Sequence, residues 1–332
     1  MSPSLLCPGC QASIDSASAR FCECCGYCLS NSAVGDQAPA LLPAPAPSAC
    51  KSCLADPIGL DADGFCSACG MRPSSKPAAR ASFELGPHLA CASDVGRRHA
   101  VNQDAACIAE VGLWTLMAVA DGVSSSHLAE RASLDATQAW LAATRLALES
   151  GSSPDAAMDA GLRAAHQATL LIAYAPDASN LDEPESTIVA SICGHGQATI
   201  GWAGDSRAYG FLPGDPNGRL LTRDDSWLQS ALDSGISERV AERDPRAHAI
   251  TQCLGTRDEP PIPHIESFDL RPGELLLLCS DGLWNYLATP GQIGASLGKP
   301  TALAACSELA DRANAHGGRD NITIALWRPS AS

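Results

Sequence analysis

The sequence contains no run of eighteen or more apolar residues, the length that a membrane-spanning helix requires. It is also poor in basic residues, with 22 lysines and arginines against 37 aspartates and glutamates and a formal net charge of −15. General nucleic-acid binding needs a basic surface, so this charge argues against that function. Residues 1–7 lack the basic start and long apolar core of a secretory signal. We therefore expect a cytoplasmic protein that binds neither membrane nor nucleic acid.

The sixteen cysteines do not follow the pattern of a secreted disulfide framework. Ten of them lie in the first 69 residues, mostly as Cys-x-x-Cys pairs. Isolated cysteines in a cytosolic chain usually behave as small apolar core residues, and we expect this of the other six. These six are Cys91, Cys107, Cys193, Cys253, Cys279 and Cys306.

The N-terminal cysteines follow the same pattern twice: a Cys-x-x-Cys pair, ten or eleven residues, and then Phe-Cys-x-x-Cys-Gly. Four thiolates from two such pairs form the tetrahedral site that suits Zn²⁺. Each unit resembles a small zinc ribbon, and so short a segment takes most of its folding free energy from the metal. The predicted zinc ligands are Cys7, Cys10, Cys22 and Cys25 in the first unit and Cys50, Cys53, Cys66 and Cys69 in the second.

Two cysteines of the first unit, Cys24 and Cys28, are left over by this assignment. Cys25 and Cys28 therefore form a competing second pair. We prefer Cys22 with Cys25, because only this choice matches the Phe-Cys-x-x-Cys-Gly of the second unit. A redox role for Cys24 or Cys28 is a further alternative.

Proline-rich stretches separate the ribbons from each other and from the rest of the chain. Residues 36–49 are rich in alanine and proline, and residues 73–82 are rich in proline, serine and alanine. Such segments extend and do not pack. The predicted parts are ribbon 1 at 1–30, a linker at 31–48, ribbon 2 at 49–72, a linker at 73–81 and a large domain at 82–330.

The large domain combines short apolar runs, typical of buried strands, with two long helical segments. One predicted helix spans about 127–149. The other begins after Ser153, with Pro154 and Asp155 in its first turn, and runs to about Tyr174. Strands lie on both sides of these helices and do not alternate with them, which indicates an α+β sandwich. The predicted strands are 114–120, 187–193, 198–202, 207–211, 275–279 and 322–327.

Two of the apolar runs end abruptly in an aspartate followed by a glycine, at Asp121 and at Asp281. A single Asp-Gly pair would indicate an ordinary turn, but Asp104 and Asp320 also lie near strand ends. Carboxylates placed where buried strands leave the core suggest a cluster of hard oxygen ligands. Such ligands suit Mg²⁺ or Mn²⁺.

Six short motifs follow one another along the large domain. They are Gly-Arg-Arg-His-Ala-Val-Asn-Gln-Asp at 96–104, Val-Ala-Asp-Gly at 119–122, Ser-Thr at 186–187, Gly-Asp-Ser-Arg-Ala-Tyr at 204–209, Cys-Ser-Asp-Gly-Leu-Trp at 279–284 and Gly-Arg-Asp-Asn-Ile-Thr at 318–323. Their order and spacing, over roughly residues 82–328, resemble the bacterial PP2C-type metal-dependent protein serine/threonine phosphatases. The resemblance implies an αββα sandwich, in which two antiparallel sheets pack face to face and helices cover both outer faces.

The resemblance also implies hydrolysis of phosphoserine and phosphothreonine in proteins by a water activated at a binuclear Mn²⁺ or Mg²⁺ centre. Such an enzyme opposes a bacterial serine/threonine kinase. By resemblance, the residues that hold the two ions are Asp121, which bridges them, the carbonyl of Gly122, Asp281 and Asp320. Asp205 matches a position linked to a third, weaker ion, and capping of its own turn is an equal alternative. Asp104 matches a catalytic position that orients water at the metal.

A substrate phosphate also needs a bidentate cation, which in the family is an arginine upstream of the Asn-x-Asp motif. Simple counting places His99 at that position, with Arg98 beside it and Arg97 next along the chain. We choose Arg98, and the alternative is that either arginine is an ordinary surface residue. The segment after the first Asp-Gly has no histidine in the general-acid position, and His127 is interpreted as a helix-start residue. Residues 222–262 resemble the mobile flap of the family.

Two other functions stay open. One is narrower, the dephosphorylation of an anti-sigma-factor antagonist. The other is an adaptor, in which the phosphatase-like domain is inert or weak and the ribbons dock a protein partner. The presence of all four carboxylates, at Asp104, Asp121, Asp281 and Asp320, favours an active enzyme. The expected cofactors are two or three Mn²⁺ or Mg²⁺ ions and two structural Zn²⁺ ions.

Overall fold

The computed structural model describes residues 79–174, 182–258 and 260–329, together with residues 5–6, 13–14, 40–41 and 68. The chain divides into two compact units, Met1–Gln37 and Ala38–Ser332. In the first unit, β1 (Leu5–Leu6) pairs antiparallel with β2 (Ser13–Ile14). The cysteines of the predicted ribbons lie outside the described residues, namely Cys7, Cys10, Cys22, Cys24, Cys25, Cys28, Cys50, Cys53, Cys66 and Cys69.

The described part of the second unit contains two six-stranded sheets. In chain order, their strands are β3 (Ala40–Leu41), β4 (Arg80–Leu85), β5 (Leu89–Asp94), β6 (Asp104–Val111), β7 (Trp114–Asp121), β8 (Ile188–Gly194), β9 (Gln197–Ala203), β10 (Arg207–Phe211), β11 (Arg219–Leu220), β12 (His264–Asp269), β13 (Leu275–Cys279) and β14 (Ile322–Trp327). One sheet has the order β11-β10-β13-β14-β5-β4 and the other β12-β9-β8-β7-β6-β3. All neighbouring strands are antiparallel.

Helices cover the outer face of each sheet. They are α1 (Ala129–Glu149), α2 (Pro154–Leu170), α3 (Trp227–Asp233), α4 (Glu238–Ala241), α5 (Asp281–Trp284), α6 (Pro290–Gly294) and α7 (Ala302–Ala315). Helices α1 and α2 pack with β6–β9 in one apolar cluster, and α7 packs with β5, β13 and β14 in another. A third cluster joins the two sheets. The order of layers is therefore αββα, the predicted sandwich of two antiparallel sheets.

The strands that carry the Asp-Gly pairs are buried on both faces. In β7, Met117 and Val119 face the other sheet, whereas Leu116 and Ala118 face α1 and α2. In β13, Leu276 and Leu278 face the other sheet and Leu277 faces α7. Since the middle positions of such a strand face apolar layers on both sides, its sequence shows a continuous apolar run instead of alternation.

All six predicted strands form, and those at 207–211, 275–279 and 322–327 have the predicted bounds. The second long helix is shorter than predicted, because it ends at Leu170 and not near Tyr174. Its predicted N-cap is confirmed, since Ser153 Oγ accepts a hydrogen bond from the backbone N–H of Ala156 at 3.3 Å. The six isolated cysteines are all buried, as expected. Among the described helices, none is both long and apolar enough to cross a membrane.

One short strand lies in the stretch expected to be a linker. Ala40 and Leu41 form β3 and pair with Ile108 and Cys107 of β6. At these two residues the expectation that the proline-rich stretch does not pack was wrong. Backbone groups at the open edge of β6 are free to pair with any extended segment that reaches them.

Candidate active site

The predicted site aspartates lie at the ends of central strands. Asp104 begins β6, and Asp121, which ends β7, is its partner in the antiparallel ladder. Asp281 is the first residue of α5, directly after β13, and Asp320 lies two residues before β14. Because β6 and β7 belong to one sheet and β13 and β14 to the other, the sandwich brings carboxylates of both sheets to one edge.

Hydrogen bonds across the two sheets hold this edge together. Ser280 Oγ donates to Asp104 Oδ2 at 2.8 Å and accepts from the backbone N–H of Thr323 at 3.0 Å. The backbone N–H of Gln103 donates to Asn321 Oδ1 at 2.7 Å. Ser280, which precedes Asp281, is thus bonded to Asp104. Asn321, which follows Asp320, is bonded to Gln103, the neighbour of Asp104. The position of the carboxylates is therefore set by the sandwich and not by a mobile loop.

The two glycines of the Asp-Gly pairs are required by close backbone approach. Neither Gly122 nor Gly282 is among the residues with positive φ. A Cβ on Gly122 would overlap the carbonyl oxygen of Ala129, and one on Gly282 would overlap the carbonyl oxygen of Asn321. Gly282 therefore lets α5 begin against the loop that carries Asp320. The ordinary-turn interpretation of these pairs does not account for such contacts.

Burial and mutual repulsion raise the pKa values of four carboxyl groups. Burial raises the pKa of Asp104 to about 7, and the charges of Asp281 and Asp320 add to this effect. Burial, with the charge of Asp320, raises the pKa of Asp281 to about 6. Burial also raises the pKa values of Asp121 and Asp205 well above the usual range, and the charge of Asp281 contributes to both. Groups so shifted are typical of functional sites.

The donor atoms of this site fit a divalent cation. Asp104 Oδ1 and Asp281 Oδ1 are buried and have no hydrogen-bond partner among the described residues. Buried carboxylates that repel one another are stabilised by a nearby cation. Within the described residues, no three His, Cys, Asp or Glu side chains are arranged as a ready-made metal site.

A cavity of about 530 Å³ adjoins the carboxylates and is lined by Asp205, Asp281 and Asp320. Five further lining residues were not predicted from the sequence, namely His248, Asn285, Tyr286, His316 and Arg319. Three of the five follow shortly after a predicted motif or lie inside one, so the motifs alone contained a signal for them. His248 comes from the stretch that resembles the flap, and His316 from the C-terminal end of α7.

Asp205 follows β9 and is buried. The indole N–H of Trp284 donates to its carbonyl oxygen at 3.0 Å, which ties the turn at 204–206 to α5. The backbone N–H of Gly204 donates to Asp225 Oδ2 at 3.0 Å. Asp225 thus satisfies one donor of the turn that Asp205 was expected to cap in the alternative interpretation.

The basic segment before Asp104 lies beside the loop that carries Asp320. The Nε2 atom of His99 is 3.5 Å from Asp320 Oδ1. The backbone N–H of Arg97 donates to the carbonyl oxygen of Gly318 at 2.6 Å. Arg98 is exposed, does not line the cavity, and forms no hydrogen bond or ion pair with the residues that the structure describes. The assignment of Arg98 to the substrate phosphate therefore stays a prediction, without an ion pair to the site carboxylates among the described residues.

Comparison with known proteins identifies the family. The model of the protein phosphatase 2C family matches residues 95–310. This match covers more than half of the chain, and the protein belongs to the protein phosphatase 2C family.

Among curated proteins, the serine/threonine phosphatase stp of Listeria innocua is 32% identical over 159 residues, which are 47% of this chain. The chain spans 61% of the length of that relative. Among solved structures, the serine/threonine phosphatase PstP/Ppp of Mycobacterium tuberculosis is 27% identical, with a TM-score of 0.57 over 74% of this chain and 96% of that one. The catalytic domain of PstP in complex with two manganese ions is 26% identical, with a TM-score of 0.54 over 75% of this chain and 97% of that one.

Proposed function

We propose that this protein is a metal-dependent protein phosphatase that hydrolyses phosphoserine and phosphothreonine in proteins. The observation that carries the proposal is the convergence of Asp104, Asp121, Asp281 and Asp320 at one edge of the sandwich, in a chain of the protein phosphatase 2C family. Its substrates are phosphorylated proteins, and its counterpart is a serine/threonine kinase in the cytoplasm. The similarity to the stp phosphatase of Listeria innocua supports this assignment.

The proposed centre holds two Mn²⁺ or Mg²⁺ ions. The similarity to the PstP catalytic domain, whose structure contains two manganese ions, supports this number. The residues that would hold the ions are Asp121 as the bridge, the Gly122 carbonyl, Asp281 and Asp320, with Asp205 toward a third ion. When bound, the ions supply an activated water and neutralise the phosphoryl charge.

The protein's own groups orient the reaction. Ser280 holds one oxygen of Asp104 by a hydrogen bond of 2.8 Å, which leaves the other oxygen, Oδ1, without a partner among the described residues. Burial raises the pKa of Asp104, and a nearby cation would offset this shift and favour the charged carboxylate. Asp104 Oδ1 is thus suited to orient a water beside Asp121.

The test is phosphate release from a phosphothreonine peptide with Mn²⁺, with and without a chelator, by the wild type and by Asp281→Asn. We expect release that needs the metal and that falls about 100-fold or more in the variant, because a charged metal ligand becomes neutral. Asp159→Asn on the exposed face of α2 is the matched control and should retain full activity. A folded, metal-loaded wild type that releases no phosphate from peptides or phosphoproteins would leave the inert adaptor as the better function.

We also propose that the N-terminal region holds two structural Zn²⁺ ions in two ribbons. The support is the repeated Cys-x-x-Cys spacing, with the ligands Cys7, Cys10, Cys22, Cys25, Cys50, Cys53, Cys66 and Cys69. Counting bound zinc by mass spectrometry should show two ions in the wild type and one in Cys22→Ser. Cys24→Ser should keep both ions, and loss of zinc in this variant alone would contradict the chosen ligand set.

The ribbons would then serve to dock a protein partner. A variant that lacks residues 1–72 separates this role from catalysis. Full activity on a small aryl phosphate, with lost activity on a phosphoprotein, would support docking by the ribbons. Equal loss on both substrates would instead indicate that the ribbons stabilise the catalytic domain.

A further inference from the structure

The cavity beside the carboxylates contains one permanent positive charge. Its lining includes the carboxylates of Asp205, Asp281 and Asp320, and Arg319 is the only lysine or arginine that lines it among the described residues. A volume of about 530 Å³ is large enough for a phosphorylated side chain with its neighbours. Arg319 directly precedes Asp320 in the chain, so an anion held by its guanidinium would lie next to the proposed metal ligands.

The guanidinium of Arg319 is not used by the fold. Arg319 is exposed, and its side chain forms no ion pair or hydrogen bond within the described parts of the chain. The nearest carboxylate in sequence, Asp320, instead accepts from the backbone N–H of Asn321 at 2.8 Å and lies 3.5 Å from His99 Nε2. By contrast, Arg207, which also lies near the site, is paired with Asp224 at 2.7 Å. An unpaired arginine in a carboxylate-lined cavity is available to an anionic ligand.

The backbone at Arg319 is held firmly, so the side chain projects from a defined point. The backbone N–H of Arg319 donates to Tyr286 Oη at 2.7 Å. The two preceding residues, Gly317 and Gly318, have φ values of 142° and 50°, which only glycine adopts without strain. The carbonyl of Gly318 accepts from the backbone N–H of Arg97 at 2.6 Å. The turn is therefore fixed by contacts on both of its sides.

We propose that Arg319, and not Arg98, binds the phosphoryl group of the substrate. The inference rests on the proposed phosphatase function and names the residue that recognises the phosphate. A guanidinium offers a planar pair of N–H donors that matches two phosphoryl oxygens. Arg98 lies outside the cavity lining, whereas Arg319 lies within it.

The test compares Arg319→Ala and Arg319→Lys with Arg98→Ala, the variant at the competing position, in the full-length, Mn²⁺-loaded protein. The measurements are KM and kcat for a phosphothreonine peptide, and the affinity for inorganic phosphate by calorimetry. We expect Arg319→Ala to weaken phosphate binding and raise KM about 10- to 100-fold, as loss of a charge-assisted pair predicts. Arg319→Lys should recover part of the lost phosphate affinity, because lysine keeps the positive charge but lacks the planar pair of N–H donors. Arg98→Ala should match the wild type.

The phosphate affinity separates this inference from the proposed function. If the wild type binds phosphate but turns over no phosphorylated substrate, the function fails while the calorimetry still decides on Arg319. Equal phosphate affinity in Arg319→Ala and the wild type, or a larger loss in Arg98→Ala, would overturn the inference. So would a wild type that binds no phosphate. A drop in Mn²⁺ affinity of Arg319→Ala equal to its drop in phosphate affinity would show that Arg319 acts through Asp320, which also contradicts the proposal.

Discussion

Asp104 places a carboxyl group in the interior between two sheets, and this position has a consequence for stability. Its pKa is raised from the usual range to about 7, first by burial. Between about pH 4 and pH 7, the native state therefore holds a proton on Asp104 that the unfolded chain has already released. The stability that this group contributes is fully present below about pH 4 and is lost as the pH rises through about 7.

The first prediction follows from this loss of stability with rising pH. In the presence of a chelator, Asp104→Asn should gain stability relative to the wild type as the pH rises from 5 to 8, because asparagine carries no charge to bury. Thermal unfolding of both proteins across this range is the measurement. Asp159→Asn, at an exposed position of α2, is the control. A difference between Asp104→Asn and the wild type that stays constant with pH would contradict the assigned shift.

The smallness of Gly282 allows close approach between the two segments that carry Asp281 and Asp320, which follow and precede strands of the same sheet. A Cβ at this position would overlap the carbonyl oxygen of Asn321, which belongs to the rigid backbone before β14. Gly282→Ala should therefore cost at least about 1–3 kcal/mol of unfolding free energy and should weaken Mn²⁺ binding by displacing Asp281. Gly112→Ala is an informative control, because Gly112 has no neighbour near its Cβ. Its loss should come only from its positive φ, with Mn²⁺ affinity unchanged.

At the scale of elements, the N-cap of α2 forms as the local sequence predicts. Ser153 Oγ caps the helix, Pro154 occupies its first turn and Asp155 complements its dipole. Ser153→Ala should reduce the free energy of unfolding by about 1 kcal/mol. The neighbouring Ser152→Ala should leave it unchanged, since no side-chain cap bond is lost. Denaturant unfolding of the three proteins provides the comparison.

The strands of the two sheets differ in how clearly their sequences predict them. The continuous apolar runs of β7 and β13 predict buried strands, and the structure confirms both. β5 was not predicted, because Leu89–Asp94 is made largely of small residues without the β-branched side chains that mark strands. β12 was also missed, since it lies at a sheet edge and is largely exposed. Its place in the sheet depends on pairing with β9, a partner distant in sequence.

At the scale of the whole molecule, the proposed metal centre links folding to cation binding. A cation that binds the native carboxylates and not the unfolded chain stabilises the fold by mass action, by about 2.7 kcal/mol at 100 times the Kd. Mn²⁺ should therefore raise the melting temperature of the wild type. The rise should be much smaller in Asp281→Asn and unchanged in Asp159→Asn. An equal rise in all three proteins would indicate cation binding elsewhere on this acidic chain.

The sequence by itself determined the family resemblance, because this rests on motifs a few residues long. The expected order of layers and the roles of the four carboxylates followed from that resemblance. The sequence left open which arginine faces the phosphate, since counting along the chain favoured the segment 97–99. Only the tertiary structure decided that Arg319 lines the cavity and that Arg98 does not. The physical reason is that the cavity lining comes from segments far apart in the chain, namely residues 205, 248, 281–286 and 316–320. The packing of the two sheets brings these segments together, and no pattern within a single segment predicts this.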